Sequence, residues 1–265
     1  MNKKSPIGIF DSGLGGLTVV KEITKLLPKE SIIYFGDTAR VPYGTKSKRT
    51  IEKFSCQNVH FLTRFKVKLI IVACNTSSSL ALPLLKRTFK IPIIGVIESG
   101  VKEAILMSRN KRIGVIGTRA TISSGVYKKT LRSFDKKIKA FSISCPLFVP
   151  LVEEGWLHKD ITEKIASYYL RFLKEKKIDS LILGCTHYPL LKLVIKKVMG
   201  EKIKLVDSAL AVAKEAKHLL EEKHLESDTK PKHQFFVSDE PLNFSKEGSK
   251  FLGKKLKAVK KINYV

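Results

Sequence analysis

KLIIVACNTSS (68–78) and SLILGCTHYP (180–189) are the two stretches on which the fold of this chain turns. Each begins as a continuous apolar run without polar alternation, the pattern of a short strand covered on both faces. Each then reaches a cysteine, Cys74 or Cys185, followed by hydrogen-bonding residues and a helical pattern. Working outward, six further runs read as strands: IGIF (7–10), SIIYFGD (31–37), IPIIGVI (91–97), KRIGVIG (111–117), IKAFSIS (138–144) and IKLVDS (203–208). Helix-patterned segments lie between them, among them GLTVVKEITKLLP (16–28), KRTIEKFSCQNVHFLTRF (48–65), LALPLLKRTF (80–89), SSGVYKKTLRSFD (123–135), ITEKIASYYLRFLKEKK (161–177), YPLLKLVIKKVM (188–199) and LAVAKEAKHLLEEKH (210–224). Strand and helix in alternation predict an α/β fold with mostly parallel sheets. Residues 223–232 read as a polar loop. The tail then reads as a strand, a helix and a lysine-rich strand-like end.

The chain also reads as doubled. IGIFDSG (7–13) pairs with IGVIGTR (113–119), IIVACNTSS (70–78) with LILGCTHYP (181–189), and IIGVIESG (93–100) with IKLVDSAL (203–210). The offsets are 106 (7 to 113), 111 (74 to 185) and 109 (98 to 207). Three features in one order at nearly one spacing predict two similar doubly wound α/β units of about 100 residues each. A reactive cleft is then expected between them.

Composition narrows the classes. The chain has 265 residues, 50 Lys plus Arg against 24 Asp plus Glu, and a net charge of +26. With 43% hydrophobic residues it can fill a core, and wholesale disorder is excluded. No apolar run approaches the roughly 18–20 residues of a membrane helix. The apolar stretch near the N-terminus is shorter than the about 7–15 residues of a secretory signal. A cytoplasmic protein that does not bind membranes is the expectation. The charge alone suggests nucleic acid, but no helix-turn-helix, RRM or zinc-finger pattern accompanies it. The lysines are spread over helix faces, so no nucleic-acid partner is expected. The four cysteines, at 56, 74, 145 and 185, show no CxxC and no zinc spacing, so neither a disulfide framework nor a metal is expected. Neither GxGxxG nor a P-loop occurs, and no pyridoxal lysine signature can be picked out.

Chemistry concentrates at the two cysteines. In open α/β sheets ligands bind beyond the carboxyl ends of the strands, and a helix N-terminus favours anions and lowers a thiol's pKa. A single cysteine there reads as a small core residue. Two at equivalent places of a doubled chain read as two thiols on opposite sides of one cleft, suited to removing a proton from one face of a carbon and returning one to the other. A cysteine hydrolase using Cys185 and His187 would leave Cys74 unexplained. Asp11 can orient or deprotonate Cys74, or simply close the DSGLGG turn. Asn75, Thr76 and Thr186 can bind carboxylates or cap helices. Ser12 and its glycines can cradle an anion. Tyr43 and Gly44 lie on a turn, where Tyr43 can pack or bind. His187 can serve the second thiol or fill core.

IGIFDSGLGGLTV, YFGDTARVPYG, VACNTSS, GVIESG, CPLFVPLVEEG, LGCTHYP and FFVSDEPLNF, in this order, resemble the glutamate racemases, within the wider group of cofactor-independent aspartate/glutamate racemases. The resemblance runs from about residue 7 to the C-terminus. It implies interconversion of L- and D-glutamate without a cofactor, supplying D-glutamate for peptidoglycan. It assigns Cys74 and Cys185 as the two proton carriers, Cys74 for the D isomer and Cys185 for the L isomer. Asp11, Ser12, Tyr43, Gly44, Asn75, Thr76, Thr186 and His187 fall on the substrate-binding positions, with Asp11 and His187 in catalytic support. An acidic residue after CPLFVPLV belongs to the pattern, and both Glu153 and Glu154 can hold it. The first domain is implied to take both chain ends (1–98 plus 208–265) and the second the middle (99–207). Relatives are often homodimers.

Overall fold

The central apolar runs become strands because they can bury both faces, and every run finds a parallel neighbour on at least one side. The structure, a computed structural model, describes residues 2–263. In chain order the first half runs β1 (Ile7–Asp11), α1 (Leu17–Leu26), β2 (Ile32–Gly36), α2 (Lys48–Thr63), β3 (Leu69–Val72), α3 (Asn75–Leu80), α4 (Leu82–Thr88), β4 (Ile93–Gly95) and α5 (Val96–Met107). The second runs β5 (Arg112–Gly117), α6 (Arg119–Ser123), α7 (Val126–Phe134), β6 (Lys139–Ser144), α8 (Phe148–Glu153), α9 (Asp160–Glu175), β7 (Ser180–Gly184), α10 (Lys192–Met199), β8 (Lys204–Asp207) and α11 (Ser208–Glu222). The tail adds β9 (His233–Val237), α12 (Pro241–Leu252) and β10 (Val259–Lys261). Of the lysine-rich end, residues 264 and 265 lie outside the described residues.

Two all-parallel sheets result. One is six-stranded in the order β10-β9-β2-β1-β3-β4, the other four-stranded in the order β6-β5-β7-β8. Without β9 and β10 the first order becomes β2-β1-β3-β4, the same winding as the second. The register repeats too. Phe10 stands opposite Val72, and Ile116, 106 residues on from Phe10, stands opposite Leu183, 111 on from Val72. The doubling read from short motifs is thus present in the hydrogen-bonded ladder itself. The tail returns to the first sheet, where β9 pairs with β2.

The third motif pair needs a shift. The run at 91–97 stops being a strand at Gly95, and Val96 and Ile97 are buried as the first turn of α5. Strand–helix junctions therefore match from Gly95 to Asp207, an offset of 112 in place of 109. A short apolar run cannot reveal where a buried strand gives way to a buried helix. For a related reason α5 escaped the helix pattern. The buried face of α5 carries Ser99, Gly100 and Ala104, small residues that admit close packing but carry little hydrophobic signal.

The matched helices α5 and α11 pack on one another, and α1 packs on α11, joining the two sheets' layers along one side. Behind the first sheet a buried ion pair, Lys68 Nζ to Glu30 Oε2 at 2.6 Å, is completed by the carbonyls of Lys3 and Leu225, each 2.7 Å from Nζ. These bonds satisfy a charge that would be costly if left alone, and they pin the loop after α11. The open side, at the carboxyl ends of β1, β3, β5 and β7, is left for the site.

Candidate active site

A cavity of about 460 Å³ opens where both sheets present their strand ends. It is lined by Cys74 and Cys185 together, with Ser12, Tyr43, Gly44, Asn75, Thr76, Thr186 and His187. The two thiols expected on opposite sides of one cleft thus share one cavity. Asp11 is the exception. It is fully buried behind the wall and meets the site through its neighbours, with Thr186 Oγ1 donating to its Oδ1 at 3.5 Å.

The loops reach one another because their glycines lack side chains. A Cβ on Gly15 would sit 2.1 Å from Thr186 Oγ1 and 2.7 Å from His187 Nδ1. One on Gly44 would sit 2.7 Å from Thr118 Cβ. In DSGLGG, then, Gly15 serves close approach between the two halves, while Ser12 and Gly13 line the cavity. Tyr34 holds this loop, its hydroxyl donating to the Gly13 carbonyl at 2.6 Å.

Cys74 is the residue just before α3, and no side chain caps that helix. Asn75 and Thr76 are therefore free of the capping role. Cys74 Sγ donates to Ser12 Oγ at 3.9 Å. Burial, and then the nearby Asp11 carboxylate, push the thiol up to about 12, against hydrogen bonds from Ser77 and Ser12. Asp11 is itself raised by burial. The charge of His187 and the backbone N–H groups of Gly13, Gly16 and Ser12 oppose this without cancelling it. Gly13 N donates to Asp11 Oδ2 at 3.0 Å, so the turn-closing role and a role beside Cys74 coexist.

Around Cys185 the partner is different. Its sulfur lies 3.9 Å from His187 Nδ1, and His187 Nε2 lies 3.0 Å from Glu153 Oε1. Burial would lower the imidazole, but hydrogen bonds to Cys185 and Glu153 outweigh it and raise His187 to about 10. Of the two acidic candidates left open by the sequence, Glu153 lines the cavity and binds the histidine.

The polar wall offers both donors and acceptors. Asn75 Oδ1 accepts from the Tyr127 hydroxyl at 2.6 Å, while its buried Nδ2 has no partner among the described residues. An unsatisfied buried donor costs about 1–3 kcal/mol, which a ligand carboxylate would recover. Thr76 Oγ1 and Thr118 Oγ1 lie 3.0 Å apart, a hydroxyl pair across the two halves. Tyr43 reaches the wall, but its hydroxyl is taken by Asp37 and by Asn58 Nδ2, the latter at 3.2 Å. Its ring and backbone are what remain to face a ligand.

Among the wall residues that the motifs contained but did not single out are Thr118, Arg119, and the pairs Val41-Pro42 and Val149-Pro150. The doubling held the signal for them. Thr118 is 106 residues after Ser12, and Val149-Pro150 repeats Val41-Pro42 at 108.

Residues 7–216 match the family model described as Asp/Glu/Hydantoin racemase. A glutamate racemase of Geobacter metallireducens is 50% identical over 252 residues, 94% of this chain and 93% of that protein. A crystal structure of a glutamate racemase isoform from Bacillus anthracis superposes with a TM-score of 0.96 at 40% identity, covering 99% of this chain and 98% of that one. The glutamate racemase of Francisella tularensis, in complex with D-glutamate, gives 0.93 at 43% identity, with 98% of each chain covered. With the family model spanning most of its length and two cysteines facing one cavity, the chain belongs to the Asp/Glu/Hydantoin racemase family.

Proposed function

We propose that this chain interconverts L- and D-glutamate by a two-cysteine proton transfer that needs no cofactor, and so provides D-glutamate for peptidoglycan in the cytoplasm. The observation that carries the proposal is that Cys74 and Cys185, from equivalent strand ends, line the same cavity. The lobes at work are residues 1–98 with 208–265, and 99–207. The match to named glutamate racemases, one of them in complex with D-glutamate, supports the choice of substrate.

The α-proton of an amino acid is a far weaker acid than a thiol, so the sulfur that removes it must act where developing carbanion charge is stabilised and water is excluded. In the L-to-D direction the Cys185 sulfur takes the proton as thiolate. Cys74, held as a thiol by burial and Asp11, gives its own to the opposite face. The carbon loses one proton and gains one, and the reverse reaction restores both sulfurs. His187, protonated through neutral pH and tied to Glu153, sets positive charge beside Cys185. Asn75 Nδ2 and the hydroxyls of Ser12, Thr76 and Thr186 supply donors to the substrate carboxylates and acceptors to its ammonium.

The test is circular dichroism of L-glutamate with the purified protein and no added cofactor. The signal should decay to zero, and in D₂O the product should carry deuterium at the α-carbon. An unchanged signal overturns the assignment, and racemised but unlabelled product overturns exchange through the thiols.

A further inference from the structure

Three charged side chains line the cavity: Glu153, His187 and Arg119. Glu153 and His187 form an ion pair at 3.0 Å and offset one another. Among the described residues no carboxylate lies within ion-pair distance of the Arg119 guanidinium. Arg119 is exposed, at the start of α6 and directly after Thr118, whose hydroxyl meets that of Thr76. Its charge reaches Tyr169 on α9, where it opposes the burial that raises that phenol.

The doubling makes this residue conspicuous. Along the matched strands Asp11 corresponds to Gly117, Ser12 to Thr118 and Gly13 to Arg119, each 106 residues on. The hydroxyl is kept in both halves. The acid is present only in the first and the guanidinium only in the second. Arg119 is thus not required by the shared scaffold, whose other copy works with a glycine. It leaves an uncompensated positive charge at an otherwise balanced wall. Glutamate enters with two carboxylates and one ammonium, and so with a net charge of −1.

We propose that Arg119 is a specificity-determining residue that recruits the dicarboxylate, meeting a substrate carboxylate at the mouth of the cavity. The inference rests on the glutamate reading above. A guanidinium suits this role because its positive charge attracts a substrate of net negative charge at the mouth of the cavity. An exposed charge acts chiefly on encounter and on substrate concentration at the mouth, and salt weakens both.

The experiment compares the wild-type protein with Arg119→Gln and Arg119→Lys, reading kcat and KM for glutamate in both directions at low and high salt. Arg119→Gln should raise KM about three- to tenfold, with a smaller change in kcat, and flatten the salt dependence of kcat/KM. Arg119→Lys should recover most of the lost affinity and the salt dependence. If Arg119→Gln keeps the wild-type KM and salt response, the inference is overturned. It is also overturned if Arg119→Lys is as impaired as Arg119→Gln, since charge is then not what matters. Because the side chain is exposed, neither substitution threatens folding, and equal melting temperatures verify this. Failure of the wild-type protein to racemise glutamate overturns the underlying reading, an outcome distinct from a wild-type enzyme indifferent to residue 119.

Discussion

Cys74 and Cys185 stand at the same place in two copies of one four-stranded winding, yet their surroundings differ in sign. Behind Cys74 lies a buried carboxylate, Asp11, and the thiol is pushed up to about 12. Beside Cys185 lies an imidazole raised to about 10 and anchored by Glu153. The residues that differ are matched ones: Asp11 against Gly117, and Thr76 against His187. The two-sulfur reaction proposed above acts on two mirror-image substrates and asks for symmetry at the level of the two sulfurs. It does not need the same proton-handling group behind each. The duplicated scaffold fixes where the sulfurs stand, and single substitutions after the strand ends decide what each faces.

The largest expected effect comes from removing either sulfur. Cys74→Ala and Cys185→Ala should each lower racemisation by about 10³-fold or more, as measured by the decay of optical activity. Retained turnover in one of them would show that the two sites are not partners. Next come the unlike supports. Asp11→Asn and His187→Asn should each lower kcat/KM by about 10²-fold. The equilibrium constant of a racemisation is one, so kcat/KM must fall equally in both directions, and only kcat and KM taken separately can reveal which sulfur was affected. If both variants change the same direction's kcat, the division of labour between Asp11 and His187 is wrong.

The third comparison concerns stability. The free imidazole titrates near 6.5, whereas folded His187 holds its proton to about 10. Between these values the folded chain binds a proton that the unfolded chain has released, so stability falls as pH rises. The contribution is complete below pH 6.5 and is lost as pH rises through the folded value of about 10. Melting temperature should therefore drop over that interval in the wild-type protein and drop less in Glu153→Gln, where one of the bonds raising the value is gone. A wild-type curve flat across the interval would remove His187 from the protonated state proposed for it.

Much of this was legible in the sequence for a definable reason. A strand buried on both faces must be apolar throughout, so VACNTSS and LGCTHYP marked two strand ends and put two cysteines at them. The repeated spacing then carried the winding of both sheets. The junction at Gly95 was misplaced by the same logic, because Val96 and Ile97 are as apolar in a helix's first turn as in a strand. Tyr43 shows a second limit. Its place in VPYG put it at the site, but nothing nearby in sequence shows that Asp37 and Asn58 take up its hydroxyl. The net charge of +26 shows a third limit, since charge spread over helix faces specifies no site.

By itself the sequence determined the α/β alternation, its doubling, and the identity of the residues at the strand ends, because apolar periodicity and spacing are local properties. Only the tertiary structure decided that both cysteines meet one cavity and that Glu153, not Glu154, holds His187. It alone showed Asp11 buried behind the wall, and Arg119 standing without a carboxylate partner among the described residues. These depend on how two similar units pack through α5 and α11 and on which loops their glycines let touch. Such contacts join residues from 34 positions apart, as Glu153 and His187, to 175 apart, as Asp11 and Thr186, and no local pattern encodes them.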